Sequence, residues 1–67
     1  MATVEIYTKA WCPYCRMAKR LLEDKGQPFL EFDVERDPDK YDDMLDRSRG
    51  RRTVPEIFID DILIGGF

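Results

Sequence analysis

The chain has 67 residues, no histidine and only two cysteines, and each shortage excludes a class of site. Without histidine there is no cysteine–histidine catalytic dyad. Two soft ligands are too few for zinc, which takes about three or four protein ligands, so no metal is expected. No hydrophobic run approaches the roughly 20 residues of a membrane-spanning helix, so no membrane span is expected.

Charge and chain length narrow the possibilities further. The net charge of −3 argues against nucleic acid or a membrane surface as partner. Residues 1–5 lack the basic and apolar regions of a signal peptide, which favours a reducing, cytoplasmic location. With no repeat and no linker, a single domain is expected over residues 1–67.

The two cysteines lie three residues apart, in the motif Cys12-Pro13-Tyr14-Cys15. A disulfide closing so short a ring would restrain the unfolded chain by about 2 kcal/mol at most, so the pair is poor structural glue. At the head of a helix, Cys12 faces unpaired backbone N–H groups and the positive end of the helix dipole, which favour its thiolate. We therefore predict that Cys12 is an exposed nucleophile of low pKa and Cys15 a shielded resolving thiol.

Hydrophobic periodicity predicts six elements in the order β-α-β-α-β-β. A buried helical stripe is predicted at Tyr14, Met17, Ala18, Leu21 and Leu22. Capping and turn residues predict a first helix from Cys12 to Gly26, a second from Asp37 to Gly50, and a hairpin turn at Asp60-Asp61. The strands are predicted at 3–7, 29–34, 56–59 and 62–64.

Two short motifs follow the second predicted helix. Thr53-Val54-Pro55 opens the third strand, and its proline either only fixes a turn or forms a cis bond. A cis bond would bring the Val54 backbone to the thiols, with N–H and C=O groups that can bind a peptide as an added strand. Gly65-Gly66 either marks a turn or lets the backbone approach a ligand closely.

Basic residues stand out in this acidic chain. Lys9 and Arg16 are near enough in sequence to add positive potential at Cys12. In a second basic cluster, most residues fit either a helix C-terminus or solvated loop charges. Arg51 differs because it precedes Thr53, and it can act with Lys9 to steer an anionic peptide to Cys12. That cluster comprises Arg47, Arg49, Arg51 and Arg52.

Together with the lead-in Tyr7-Thr8-Lys9, these motifs resemble the dithiol glutaredoxins along essentially the whole chain. The resemblance implies an α/β thioredoxin-like fold with a four-stranded mixed sheet. It also implies an oxidoreductase that takes glutathione as co-substrate and reduces disulfide-bearing or glutathionylated proteins, with Cys12 as nucleophile and Cys15 as resolving thiol. The residues implied to bind glutathione are Lys9, Tyr14, Arg51, Thr53, Val54, Pro55 and Gly65.

Two features depart from the family pattern. Trp11, before the first cysteine, is shared with thioredoxins and allows a broader substrate range. Glutaredoxins continue past Gly-Gly with an acidic pair and a last helix, whereas this sequence stops at Phe67. We therefore expect a glutaredoxin fold without its final helix, a bare sheet face that favours self-association, and repulsion between the Phe67 carboxylate and glutathione.

Three alternatives to glutathione-dependent reduction stay open. The first is a glutaredoxin-like hydrogen donor recharged by thioredoxin reductase. The second is an iron–sulfur carrier, in which two chains and two glutathiones bridge a cluster through Cys12, although Pro13 disfavours that assembly. The third is a non-catalytic fragment that binds a partner through its exposed sheet.

Overall fold

A computed structural model describes residues 2–65, and Met1, Gly66 and Phe67 lie outside this description. The chain order is β-α-β-α-β-β, as the periodicity predicts. The elements are β1 (Val4–Thr8), α1 (Pro13–Asp24), β2 (Leu30–Asp33), α2 (Pro38–Arg47), β3 (Glu56–Ile59) and β4 (Ile62–Gly65). Among residues 2–65, no helix has the length and apolar character needed to cross a bilayer.

The four strands form one mixed sheet in the order β2-β1-β3-β4. β1 pairs in parallel with β2, which follows it through α1, and antiparallel with β3. β4 pairs antiparallel with β3 through the two-residue turn predicted at Asp60-Asp61. Both turn residues have positive φ, +49° and +69°, as a tight hairpin of this hand requires. The predicted thioredoxin-like arrangement of strands and helices is confirmed.

The main hydrophobic core lies between α2 and one face of the sheet. Its buried members are Tyr7, Val34, Met44 and Phe58. Phe58 meets the Tyr7 ring edge-on at 5.6 Å between centroids, and Leu63 packs against the same cluster. Since side chains alternate along a strand, Ile62 and Ile64 point to the opposite face. There they are 67% and 57% exposed, so the β4 side of that face is bare within residues 2–65.

Helix α1 covers the other half of this second face. Lys19 binds Glu31 of β2 at 2.9 Å, and the same carboxylate oxygen accepts a hydrogen bond from the Thr8 hydroxyl. Because α1 lies toward β2, Cys15 and Ala18 are buried. The prediction of a buried stripe is therefore wrong in part, because some of its residues lie on the side of α1 that faces away from the part of the sheet that α1 covers. These residues are exposed and comprise Tyr14, Met17 and Leu21.

The helix ends follow the capping rules unevenly. Gly26, with φ +67°, ends α1 as predicted. Asp37 stands at the N-cap of α2, but its side chain caps no backbone N–H. α2 ends at Arg47 rather than near Gly50, because Ser48 caps the helix and its hydroxyl binds both backbone groups of Arg51. This early end releases residues 49–55 to form the loop that leads to Pro55.

Candidate active site

Cys12 occupies the N-cap of α1, as its position before Pro13 predicts. Its Sγ accepts a hydrogen bond from the Cys15 N–H at 3.4 Å, and its own N–H donates to the Lys9 carbonyl at 3.1 Å. The first turn of a helix has N–H groups without partners in the helix, and the Cys12 sulfur satisfies one of them. A negative charge on this sulfur is therefore stabilised by the backbone itself.

The two thiols differ in acidity. Burial acts to raise the pKa of the Cys12 thiol, but hydrogen bonds from the Cys15 side chain and from the Cys15 and Tyr14 N–H groups, with the charge of Arg16, lower it overall. Burial raises the pKa of Cys15 to about 11, and the adjacent Cys12 adds to that rise. The pair thus has the acidity order expected of an attacking thiol and a resolving thiol.

Cys12 is far less exposed than the sequence suggests. The residue is 5% exposed and Cys15 is 1% exposed, so the prediction of an exposed Cys12 is wrong. The covering segment comes from far along the chain, because the Val54 carbonyl lies 3.9 Å from the Cys12 Sγ. Residues 53–55 therefore lie beside the sulfur that a substrate disulfide has to reach.

The Val54–Pro55 bond is cis, which is one of the two conformations expected for this motif. It brings the Val54 carbonyl to Cys12, as predicted. Within residues 2–65 the Val54 N–H donates no hydrogen bond. A backbone donor and acceptor beside the sulfur are what an extended peptide needs in order to add itself as a strand.

The other residues expected at the site lie on the elements and loops next to Cys12 in sequence or in the loop that contains Val54, except Gly65. Tyr14 is 57% exposed on the first turn of α1, and the Lys9 ammonium lies 5.6 Å from the centroid of the exposed Trp11 ring. Arg51 and Thr53 are exposed in the loop that approaches Cys12. Gly65 ends β4 with φ +112°, and no hydrogen bond within residues 2–65 joins it to either cysteine.

Sequence reasoning missed the partners of one basic residue and the burial of one acid. Arg47 lies in the last turn of α2, as its predicted place at a helix C-terminus requires, but it also binds Glu5 at 2.9 Å and the Tyr7 hydroxyl at 2.7 Å. Its spacing of three from the buried Met44 was the available signal. Glu56 is 1% exposed, and this burial was not predicted. The available signal was its alternation with Phe58 along β3, which places both side chains on the core face. A count of charges predicts neither the contacts of Arg47 nor the burial of Glu56.

Within the described part of the chain, no group of three or more Cys, Asp or Glu side chains is arranged to hold a metal ion.

We expect iodoacetamide to modify one thiol, Cys12, near pH 7, because alkylation requires the thiolate and the lowered pKa of Cys12 enlarges its thiolate fraction. Cys15, with a pKa of about 11, should react only in strongly alkaline solution. Mass spectrometry of the labelled peptides over a pH series measures both profiles, with free glutathione as the ordinary-thiol reference. Equal midpoints for Cys12 and glutathione would contradict the lowered pKa.

A comparison with known sequences identifies the family of this chain. The sequence model of the glutaredoxin family matches residues 4–64. The chain is 54% identical over 66 residues to Glutaredoxin 3 of Escherichia coli K12, and the match covers 98% of this chain and 78% of that protein.

Solved structures give the same result. Glutaredoxin 1 of Francisella tularensis, in complex with cacodylate, matches with a TM-score of 0.78 at 40% identity, over 100% of this chain and 85% of that one. A buckwheat glutaredoxin–glutathione complex gives 0.82 at 26% identity, over 97% and 61%. The glutaredoxin-like NrdH-redoxin of E. coli, described as having a thioredoxin-like activity profile, gives 0.83 at 31% identity, over 97% and 83%. With its cysteine pair on the first turn of α1, this chain belongs to the glutaredoxin family of thiol–disulfide oxidoreductases.

Proposed function

We propose that this chain uses glutathione to reduce protein disulfides and glutathione mixed disulfides. The placement of Cys12 at the head of α1 supports this most directly, because its sulfur accepts a hydrogen bond from the Cys15 N–H and the pKa of its thiol is lowered. A thiolate is the form of cysteine that attacks a disulfide sulfur. We further propose that residues 1–67 act as one domain in a reducing, cytoplasmic setting, where a dithiol of this kind is kept reduced.

With a glutathionylated protein, the Cys12 thiolate attacks the glutathione sulfur. A bond forms between the Cys12 Sγ and glutathione, and the protein thiolate leaves and takes up a proton. A second glutathione, as its thiolate, attacks the sulfur of the bound glutathione. The Cys12 thiolate leaves and glutathione disulfide is released. One added glutathione is therefore consumed for each glutathionylated protein thiol set free, because the other half of the released disulfide comes from the substrate.

With a protein disulfide, the first attack joins Cys12 to the substrate and frees one substrate thiolate. Cys15 then loses its proton and attacks the Cys12 Sγ, which frees the second substrate thiolate and leaves a Cys12–Cys15 disulfide. The raised pKa of Cys15 follows first from burial and in part from its neighbour Cys12. Once Cys12 is bound in a mixed disulfide, its negative charge is gone, and Cys15 ionises more readily at the step where its thiolate is needed.

The glutathione site is proposed at the residues grouped around Cys12. Val54, between Thr53 and Pro55, has an N–H that donates no hydrogen bond within residues 2–65 and a carbonyl that accepts from the Cys12 thiol at 3.9 Å, and both groups suit the cysteinyl backbone of glutathione. Lys9, Tyr14 and Arg51, at the surface, suit a carboxylate and a flat peptide surface. Gly65 would lie toward the γ-glutamyl end. The glutathione bound in the buckwheat glutaredoxin complex supports this choice of ligand.

Two related expectations extend this proposal. Repulsion of glutathione by the Phe67 carboxylate concerns a residue outside the described part of the chain. Self-association is proposed through the bare side of the sheet, because Ile62 and Ile64 expose apolar surface there, with Met17 and Leu21 of α1 also exposed.

The glutathione site is tested by replacing Arg51 with glutamine. We expect the KM for glutathione to rise about 3- to 10-fold and kcat to change little, because the guanidinium contributes to binding rather than to sulfur exchange. Turnover of a small glutathione mixed disulfide, coupled to glutathione reductase, measures both constants. Arg20→Gln, an equal charge change on an exposed part of α1, is the matched control. The same KM in both variants would contradict the proposed role of Arg51.

A second candidate is reduction by thioredoxin reductase in place of glutathione. Trp11, which precedes the first cysteine and is 63% exposed, favours it, as does the structural similarity to the NrdH-redoxin. The two candidates separate when turnover is measured with NADPH plus thioredoxin reductase and, in parallel, with NADPH, glutathione and glutathione reductase. The system that sustains turnover identifies the electron donor.

A further inference from the structure

Lys19 and Glu31 form an ion pair that the proposed reaction does not use. The Lys19 Nζ lies 2.9 Å from the Glu31 Oε2, and the two side chains are only 30% and 37% exposed. The same oxygen accepts a hydrogen bond from the Thr8 hydroxyl at 2.8 Å. Because Lys19 lies on α1, Glu31 on β2 and Thr8 at the end of β1, the contacts join three elements. The two donors on one oxygen fix where the ammonium lies.

The Lys19 side chain lies on the Cys15 side of α1. The two residues are four apart in one helix, so they lie one above the other on the same face. Helical side chains point toward the N-terminus of their helix, so the lysine extends over the turn that contains Cys15. Thr8 lies in the same direction, because β1 ends there and leads directly into the loop before Cys12. The ion pair therefore holds the ammonium near the buried thiol of Cys15.

The charge of Lys19 acts on the ionisation of Cys15. Burial raises the pKa of the Cys15 thiol to about 11 and the adjacent Cys12 adds to the rise, while the Lys9 backbone and the Lys19 charge act to lower it. The Lys9 side chain itself is directed to the exposed Trp11 ring. A nearby opposite charge favours the ionised form of a buried group, so this direction agrees with the geometry.

The other charges near Cys15 come from two elements. On α1, Arg16 is exposed and its charge acts on the other thiol of the pair. On β2, the Glu31 carboxylate is partnered by the Lys19 ammonium. Residues 53–55 carry no charged side chain. Among these elements, Lys19 is therefore the cation that is available to a Cys15 thiolate.

We propose that Lys19 is a positioning residue for the resolving step: Glu31 holds its ammonium on the Cys15 side of α1, where it stabilises the thiolate with which Cys15 attacks the mixed disulfide. This rests on the proposed function only in taking Cys15 as the resolving thiol. Lys19 therefore contributes to the reduction of protein disulfides, which needs Cys15. It does not contribute to the release of glutathione from Cys12 by a second glutathione, which does not need Cys15.

The test uses dithiobis(nitrobenzoate), an aromatic disulfide that reports the two attacks separately and needs no glutathione. The Cys12 thiolate attacks one of its sulfurs, which forms a mixed disulfide and releases one coloured nitrothiobenzoate. Cys15 then loses its proton to solvent and attacks the Cys12 Sγ, which releases the second nitrothiobenzoate and leaves the Cys12–Cys15 disulfide. Stopped-flow absorbance with one equivalent of reagent follows both steps. The first phase measures Cys12, and the second phase, independent of protein concentration, measures Cys15.

We expect Lys19→Gln to slow the second phase about 3-fold near pH 7 and to leave the first phase unchanged. Loss of the cation raises the pKa of Cys15 by about one unit, which lowers the thiolate fraction about tenfold. The more basic thiolate is about threefold more nucleophilic, which offsets part of that loss. In a pH series, the midpoint of the second phase should move about one unit higher than in wild type. The unchanged first phase shows that the variant is folded.

Lys25→Gln is the matched control, because it makes the same substitution at an exposed position at the other end of α1. Both of its phases should match those of wild type. Lys19→Arg keeps the charge and a donor for Glu31, so its second phase should recover most of the wild-type rate. Equal second phases in wild type and Lys19→Gln would overturn the role. It would also be overturned by second phases that are equally slow in Lys19→Arg and Lys19→Gln, since the charge would then have no part in the effect.

Turnover with glutathione is measured separately on the same preparations. We expect turnover of a small glutathione mixed disulfide to be no lower in Lys19→Gln than in wild type, since glutathione itself resolves that intermediate. A fall as large as that of the second phase would place Lys19 at another step and overturn its role in resolution. A second phase that depends on Lys19, in a wild type that shows no turnover with glutathione, supports the role and rejects only the proposed function.

Discussion

Replacing Cys12 with serine is expected to lower the rate of disulfide reduction at least about 1,000-fold, because removal of a catalytic nucleophile has the largest effect of any single change at such a site. A serine hydroxyl stays protonated near neutrality, and the donors that lower the pKa of the Cys12 thiol do not change this. The rate is measured with glutathione, glutathione reductase and either a small mixed disulfide or a protein disulfide.

Cys15→Ser is the matched control for this loss. It keeps the backbone N–H that binds the Cys12 sulfur, so the helix cap survives. We expect it to retain most turnover of the small mixed disulfide, since glutathione itself resolves that intermediate, and to lose most reduction of protein disulfides. Equal losses in both assays would mean that Cys15 supports the first attack as well. Substantial turnover by Cys12→Ser would reject Cys12 as the nucleophile.

The order of the elements and the position of the cysteines follow from local rules. Alternation predicts the strands, Pro13 and Gly26 bound α1, and two adjacent acids predict the hairpin turn, because these patterns act over a few neighbouring residues. The handedness of β-α-β units predicts the parallel pairing of β1 with β2, whereas the edge that the closing hairpin joins, that of β1 rather than β2, follows only from the resemblance to the family.

Burial could not be predicted where it depends on distant parts of the chain. Spacing alone marks Met17 and Leu21 as inward residues of α1, but α1 lies toward β2 and leaves them exposed. Cys12 shows the reverse case. A cap position at a helix start is usually open to solvent, yet the cis Val54–Pro55 segment, 42 residues further on, lies against the sulfur. The Thr53-Val54-Pro55 motif predicts that the Val54 backbone approaches the thiols, but no local pattern predicts the burial of Cys12 or the exposure of Met17 and Leu21.

The arginines near the site show the same limit of prediction from local sequence. The sequence singles out Arg51 by its place before Thr53, and the spacing of Arg47 from Met44 indicates an inward side chain, but neither pattern identifies the partners of Arg47. In the fold, Arg47 lies over the Phe58 ring at 4.1 Å with its donors occupied, and Arg51 stays at the surface near the proposed glutathione site. The difference arises from the direction in which α2 ends, which is set by the Ser48 cap and the packing of Met44.

Arg47 should accordingly contribute to folding, and we expect Arg47→Met to lower the free energy of unfolding by about 2–3 kcal/mol. Its guanidinium binds Glu5 at 2.9 Å, the Tyr7 hydroxyl at 2.7 Å and Asp61 at 3.0 Å, which joins β1, α2 and the hairpin turn. The Glu5 side chain is 18% exposed, so its charge is left poorly solvated once the partner is gone. Methionine restores most of the apolar contact with Phe58, which limits the loss to the polar partners.

Urea unfolding followed by circular dichroism measures this change, with Arg20→Met on the exposed side of α1 as the matched control. The control removes the same side chain from a site with no ion pair within residues 2–65, so we expect less than about 0.5 kcal/mol of change there. A chain of this size has a total stability of only a few kcal/mol, so a loss of about 2–3 kcal/mol would leave a measurable unfolded population at room temperature. Equal midpoints for the two variants would instead show that the Arg47 network breaks even with solvent, and that the core around Phe58 alone holds α2 to the sheet.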